Sequence, residues 1–524
     1  MMSRLQAALS DQTFVLRLIL AVMAVALVYR LWPVAAGMPA LAQFFVTEDG
    51  YLMLTVARNL AIGLGLSVSE GTIPTNGVQP LATLIYAVPY AVTGGDKVTS
   101  LLGLHLIWAT IAVAGALAIK ALATRVLVPL GLAPVWSWLV AALWFSGPLL
   151  LRHSMNALET GLYTLLIVLA CLQFMRVIER GPAVGTRDLV LMAVVLGLVF
   201  LGRNDGIFLV VALASVYLVN ALVVWRLGAG ALARHLALPA LVCATVVAPW
   251  LIHNQLFFGS IIPISGPAQS LTAAFGANAA LLPAVLFEQL FPMLPLPGRI
   301  ETMLPVMIVT SLSILAATGH FVRRAWIAGG AVRLVVVGYL LHALAISAYY
   351  GFFFGAAHFM PRYTAPLAPF FIMALVTVGW DLAQRFGPQR AGAVMGGMAT
   401  AGLVLSLALL GRLLLPSVAV QGHFQVVDWV DRNVPAETWV GAIQTGTLGY
   451  WHDRTINLDG KVNPAALQAR RERGHVLDYV VASEITYLAD WPGIAGWVDH
   501  GAFGTYFEVF VYDRAGVLAV LRRR

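Results

Sequence analysis

The sequence predicts a mostly α protein: a polytopic transmembrane helical bundle of about 11 spans, followed by a small α/β domain. Three observations carry that expectation. Hydrophobic residues make up 60% of the 524 residues and charged residues only 11%, whereas a soluble domain carries about a quarter charged. The apolar residues gather in runs of about 20, the length that crosses a bilayer. After Pro416 the runs stop and charges spread through the chain.

The runs lie near 14–36, 98–119, 132–151, 157–177, 188–202, 205–225, 236–256, 302–320, 334–355, 364–382 and 391–415. The first, Phe14 to Val34, is longer than the roughly 7–15-residue core of a signal peptide and reads as a retained helix. Leu81 to Val92 is apolar but short, with Pro80 before it and Pro89 inside it. It is expected to lie at the membrane surface. Cys171 and Cys243 both sit inside apolar runs, so no disulfide framework is expected.

The loops sort into two sets. One is basic, with Arg4, Arg17, Lys120, Arg125, Arg176, Arg180, Arg187, Arg226, Arg234, Arg323, Arg324, Arg333, Arg385 and Arg390. Basic loops face the cytoplasm. That places the N-terminus inside. It places the first loop (37–97), the long segment 257–301 and the C-terminal domain outside. Counting 81–92 as a crossing would move Lys120 and Arg125 outside and break the alternation. The net charge of +8 thus reflects orientation rather than nucleic-acid binding.

The expected division is 1–416 for the membrane domain and 417–524 for the α/β domain. In the latter, β-rich runs at Trp439–Ile443, Thr455–Leu458 and Val517–Leu521 alternate with helix-like stretches such as Phe424–Asn433. About 100 residues suffice for a separate core. There is no internal repeat and no low-complexity tract.

Every unusual polar cluster falls on the outer side. The first is T47-E-D-G-Y51, with Arg58 and Asn59 following. Glu48 and Asp49 at a helix start are favoured by its positive end. A carboxylate at a low-dielectric boundary is also a general base for a hydroxyl nucleophile. Next comes the stiff loop G71-T-I-P-T-N-G-V-Q-P-L81, where Asn76 and Gln79 could bond a polar ligand or their own backbone. Then come N156-A-L-E-T160, carrying Glu159, and G202-R-N-D-G206, where Arg203 and Asp205 could pair with each other. Ionisable residues at membrane depth are functional candidates by default. The segment H253-N-Q-L-F-F-G-S-I-I-P-I-S-G266 carries Asn254 and Ser265, and H358-F-M-P-R-Y363 carries His358 and Arg362. Arg362 could snorkel to lipid phosphate or hold the phosphate of a lipid-linked substrate. The chain has no P-loop, no H-E-x-x-H, no paired Cys/His spacing and no G-x-S-x-G elbow.

Together these motifs are similar to those of the GT-C superfamily of integral-membrane glycosyltransferases. E48-D-G-Y51, A57-R-N-L-A-I-G-L-G65 and T75-N-G-V-Q-P-L81 resemble the first outer loop of its bacterial arabinofuranosyl- and mannosyltransferase branch. L201-G-R-N-D-G206, F258-G-S-I-I-P-I-S-G266, D428-W-V-D-R-N433, G446-T-L-G-Y450 and I456-N-L-D-G-K-V-N463 follow in order. The resemblance implies transfer of a sugar from a polyprenyl-phosphate donor to an acceptor hydroxyl, with inversion, in cell-envelope glycan or glycolipid synthesis at the bacterial cytoplasmic membrane. The acceptor would be a glycan, glycolipid or protein, and membrane lipid the other partner. It maps the acidic pair of the family onto Glu48 and Asp49, with Asp49 preferred as base and Glu48 orienting the acceptor or holding a cation. It implies substrate contacts for Tyr51, Arg58, Asn76, Gln79, Glu159, Arg203, Asp205, Asn254, Ser265, His358 and Arg362. No cofactor is fixed by the resemblance. A divalent cation stays open, since Glu48, Asp49, Glu159 and Asp205 could converge on one. Three positions depart from the family pattern: Glu48 for Asp, Thr55 where relatives often carry Arg, and Gln269 where they often carry Lys.

Two other classes are weighed. A transporter or flippase of lipid-linked saccharides would place charges near the bilayer midplane and break helices in two matching halves. A non-catalytic glycan-binding membrane protein would keep the fold and lose the base.

Overall fold

The computed structural model describes residue 9 and residues 11–413 and 423–524. The expected domain boundary at Pro416 and the end of the predicted 391–415 span lie outside the described residues. Among the described residues, nine helices are long and apolar enough to cross a membrane, from Gln12–Ala36 to Pro388–Arg412. The chain is therefore a multi-pass membrane protein. Counting the bent pair Val135–Ser146 and Pro148–Met155 as one span makes ten, not the eleven expected. That pair turns by 64°. Pro148 starts the second helix without an N–H to continue the first, and Gly147 has no room for a Cβ beside Pro292. The predicted span 188–202 is a helix, Thr186–Gly202, of only 17 residues.

Pro80–Thr93 is a 14-residue helix, too short to span. Thr83, Tyr86 and Tyr90 are buried on one face, and Leu84, Val88 and Val92 are exposed on the other at four-residue spacing. One apolar face against protein and one turned outward suit a helix lying at the bilayer surface.

The C-terminal region is built on a five-stranded sheet. The order is Thr455–Asn457, Val440–Ala442, Tyr487–Asp490, Leu518–Arg523, Phe507–Asp513. The first three strands are parallel and the last two form an antiparallel hairpin. Alternate residues face opposite sides, as the period of two requires. Leu488 and Leu521 pack with Val480, Phe503 and Phe507 on one face. Ala489 and Val520 pack with Val426 and Val430 of helix Phe424–Asn433 on the other. The strands at 487–490 and 507–513 were not among the β-rich runs read from the sequence.

Three glycines fix how the first loop sits. A Cβ on Gly50 would strike the carbonyl of Asn156, one on Gly77 the carbonyl of Lys461, and one on Gly446 the carbonyl of Glu48. The last two bring the sheet domain against the loop with backbone in direct contact.

Candidate active site

Helix Glu48–Ala61 starts at Thr47, whose hydroxyl accepts the Gly50 N–H at 3.2 Å. Consecutive residues on a helix point about 100° apart, so the two carboxylates at its start face different surroundings. Glu48 turns to the sheet domain. It accepts the backbone N–H of Thr447 at 2.9 Å, that of Gly446, and the Thr447 hydroxyl. Burial pushes its carboxyl above the ordinary value, against the His423 charge and the Thr447 and Gly446 bonds. Glu48 does not line the cavity described next. Its carboxylate bonds the sheet domain rather than facing the cavity, where it was expected to orient the acceptor or hold a cation.

Asp49 lines a cavity of about 530 Å³. Its Oδ2 lies 3.1 Å from Arg362 Nη1 and its Oδ1 3.3 Å from Lys461 Nζ. Burial raises the Asp49 carboxyl, but the charges of Lys461 and Arg362 more than offset it and hold the group below the usual carboxylate range. Lys461 follows strand Thr455–Asn457, at the carboxyl end of the parallel strands, where open α/β sheets place their ligands. Its Nζ also lies 3.3 Å from Asp459 Oδ2. Burial pulls the ammonium down, while Asp49 and Asp459 outweigh it and hold it above its ordinary value.

The opposite wall is the break between helices Thr186–Gly202 and Ile207–Val219. Arg203 is extended there and 2% exposed. Its Nε donates to Asp205 Oδ1 at 2.9 Å, and its Nη1 is 3.9 Å from Glu159 Oε1. The Tyr350 hydroxyl donates to Asp205 Oδ2 at 2.6 Å. Tyr350 stacks on Tyr363 with centroids 4.3 Å apart, and the Tyr363 hydroxyl accepts from Arg362 Nη2 at 2.9 Å. Arg203 Nη1, Arg362 Nε, Asn204 Oδ1 and Gln79 Oε1 are buried without a hydrogen-bond partner. All four residues line the cavity. These atoms leave the cavity with hydrogen-bonding capacity that the protein itself does not use.

The cavity gathers Asp49, Gln79, Glu159, Arg203, Asp205, Ser265 and Arg362 from the sequence-predicted set. The rest stand elsewhere, each with a physical reason. Tyr51 is buried in an aromatic cluster with Tyr450 and donates to the Ala42 carbonyl at 2.7 Å. Arg58 donates to Gly95 O at 2.9 Å and pairs with Asp453 at 3.2 Å. Asn76 donates to Asn254 Oδ1 at 3.2 Å and accepts the Ile264 N–H at 3.1 Å. Asn254 also donates to the Ile261 carbonyl at 3.3 Å. This pair therefore holds the 261–264 wall in place and does not face the ligand space. His358 is exposed and outside the lining.

Polar lining residues not singled out as site residues from the sequence include Lys461, Tyr349, Tyr350, Tyr363 and Asn204. Gln269, noted only as a departure, also lines the cavity. Thr55 is buried and bonded to the Tyr51 carbonyl of its own helix, so Arg203, Arg362 and Lys461 are the lining cations. Among the described residues no group of three His, Cys, Asp or Glu side chains is placed to hold a metal ion. Of the four acids, Glu48 bonds the sheet domain, Asp49 faces Arg362 and Lys461, and Glu159 and Asp205 both face Arg203.

Past Phe200, Ile207 and Leu251 the cavity meets an apolar groove of about 390 Å³, walled by helices 186–202, 207–219 and 229–258 and including Leu196, Val210, Leu213 and Val247.

Residues 416–517 match a family described as a domain of unknown function (DUF8728). No curated protein matches the chain. Among solved structures, the chain is similar to ArnT from Cupriavidus metallidurans bound to undecaprenyl phosphate, with TM-score 0.56 and 14% identity over 97% of each chain. It is also similar to the oligosaccharyltransferase AglB from Archaeoglobus fulgidus in complex with an inhibitory peptide and a dolichol-phosphate. There the TM-score is 0.57 and the identity 12%, over 97% of this chain and 74% of that one. At these identities the likeness shows a shared fold.

Proposed function

We propose that this protein is a membrane glycosyltransferase that moves a sugar from a polyprenyl-phosphate-linked donor to an acceptor hydroxyl. One observation carries the reading: the Asp49 carboxylate sits beside two cations in a polar cavity that shares Phe200, Ile207 and Leu251 with an adjoining apolar groove. The groove suits a prenyl chain, the cations a phosphate, and the carboxylate an incoming hydroxyl. The two solved relatives carry a prenyl phosphate, undecaprenyl in ArnT and dolichyl in AglB, which supports the same class of carrier here.

The chemistry follows from the charges. The acceptor oxygen attacks the anomeric carbon and its proton passes to Asp49. The bond from that carbon to the phosphate oxygen breaks, and polyprenyl phosphate leaves with the electron pair. The leaving group is already a phosphate, so it needs cations more than a proton; Arg362, Lys461 and Arg203 are at hand. Attack from the side opposite the phosphate inverts the anomeric centre. With Glu48 committed to the sheet domain, Asp49 is the base. The reading keeps the arabinofuranosyl- or mannosyltransferase-like branch, an outward-facing site on a bacterial cytoplasmic membrane, a cytoplasmic N-terminus, and a glycan, glycolipid or protein acceptor in envelope synthesis.

The test is donor turnover. The protein in lipid nanodiscs is given a panel of polyprenyl-phosphate sugars and envelope acceptors, and released polyprenyl phosphate is measured. Wild type should turn over one donor, and Asp49→Asn should lose about 100-fold or more. Full turnover in Asp49→Asn removes Asp49 as base. Donor binding with no turnover in wild type favours a transport or binding role.

A further inference from the structure

The cavity walls hold three acids, Asp49, Glu159 and Asp205, and three bases, Arg203, Arg362 and Lys461. Formally these balance. A phosphodiester donor brings one more negative charge into a mostly buried site, where an uncompensated charge is costly. Some cation must leave a carboxylate for the phosphate. The Arg203–Asp205 pair is the poorer source. It is held by bonds from both Nε and Nη2 of the guanidinium and by the Tyr350 hydroxyl. Asp49 is held by two single contacts, at 3.1 and 3.3 Å, to side chains from two separate elements. Lys461 has a second carboxylate, Asp459, to keep it in place, and Arg362 has the Tyr363 hydroxyl. Both cations can turn from Asp49 without losing their anchors.

We propose that Lys461 and Arg362 are counter-ions exchanged between Asp49 and the donor phosphate, so that donor binding is what frees the base. Lys461 comes from the sheet domain, so that domain supplies a substrate-touching cation to the membrane cavity. The inference rests on the reading that the donor is a prenyl phosphate. The exchange orders the reaction. Without donor, Asp49 is neutralised by two cations and is a poor proton acceptor. With donor, it faces the acceptor hydroxyl with its partners drawn away. After transfer Asp49 carries the proton and the leaving phosphate has gained a negative charge, so the total is conserved. When Asp49 releases that proton it competes again for both cations and loosens the product.

The probe is farnesyl phosphate, with farnesol as the uncharged control, titrated calorimetrically into the full chain in nanodiscs. Wild type should bind farnesyl phosphate and prefer it to farnesol. Lys461→Met should weaken farnesyl phosphate about tenfold, with farnesol unchanged, as expected for one lost charge-assisted contact. Lys461→Arg should restore most of that loss, which separates charge from folding. Asp49→Asn should tighten farnesyl phosphate several-fold, because the cations no longer have to be won from a carboxylate, and Lys461→Met should remove most of that gain. Farnesyl phosphate binding unchanged in both Lys461→Met and Asp49→Asn overturns the exchange and leaves the prenyl-phosphate reading standing. No preference for farnesyl phosphate over farnesol in wild type overturns both.

Discussion

The Glu48 carboxylate accepts the Thr447 N–H at 2.9 Å, across 399 residues of chain. Its neighbour Asp49 meets Lys461 of the same domain at 3.3 Å. Two adjacent acids thus bind one domain, the first from outside the cavity and the second from within it.

Removing the first contact should loosen the domain without touching Asp49. Hydrogen bonds to a charged group contribute about 1.5–3 kcal/mol. In Glu48→Ala, amide exchange at Gly446 and Thr447 should therefore quicken roughly tenfold or more by mass spectrometry. Gly446→Ala should do the same, since its Cβ would strike the Glu48 carbonyl. Glu48→Gln, which can still accept an N–H, should keep most donor turnover. If Glu48→Gln instead matches Asp49→Asn in lost turnover, the docking role is wrong.

The Arg203–Asp205 pair makes a stability prediction. Arg203 is 2% exposed, and Asp205 is its principal partner. Breaking one side of a buried pair costs about 3–5 kcal/mol, because the other charge stays uncompensated. Asp205→Ala should lower the thermal midpoint in detergent by several degrees and reduce yield. Tyr350→Phe, which removes only the hydroxyl bond to Asp205, should have a smaller effect. An unchanged midpoint for Asp205→Ala would mean that Glu159 alone suffices for Arg203.

Glu288 predicts a pH dependence. It lies on helix Leu282–Leu290, and burial raises its carboxyl to about 7, against the bond it accepts from the Leu296 N–H at 2.8 Å. The folded chain holds this proton more tightly than the unfolded chain. The linked stability is full below the ordinary carboxyl range and is lost as pH rises through about 7. The size is on the order of 3 kcal/mol. The thermal midpoint of wild type should fall as pH rises from the ordinary carboxyl range to about 7 and level off above it. Glu288→Gln, which has no proton to lose, should flatten that fall; an equal fall in the variant would place its origin elsewhere.

Much of this was legible in the chain because apolar runs report spans directly. The first-loop acids were legible too, since charge beside a bilayer is conspicuous. Helix Phe424–Asn433 appears with the bounds expected of it. The division of labour between Glu48 and Asp49 was not legible, because it depends on which way the helix is rotated. Lys461 was missed because its partner lies 412 residues away. A signal was present: a lysine just after a β-rich run, where parallel strands end. Asn76, Asn254 and Tyr51 have the chemistry of ligands but bond protein atoms, which residue type alone does not reveal. The span count differs at the expected 188–202 run, whose helix Thr186–Gly202 is only 17 residues long.

The contact of Gly77 with the Lys461 carbonyl and of Gly446 with the Glu48 carbonyl has a bearing on inheritance. Neither side of the seam can gain a side chain or a residue unless the other side yields. Gly77 and Gly446 should persist together among descendants of this chain, and recombination that exchanged one sheet domain for a foreign one would deliver a cavity without its Lys461 cation.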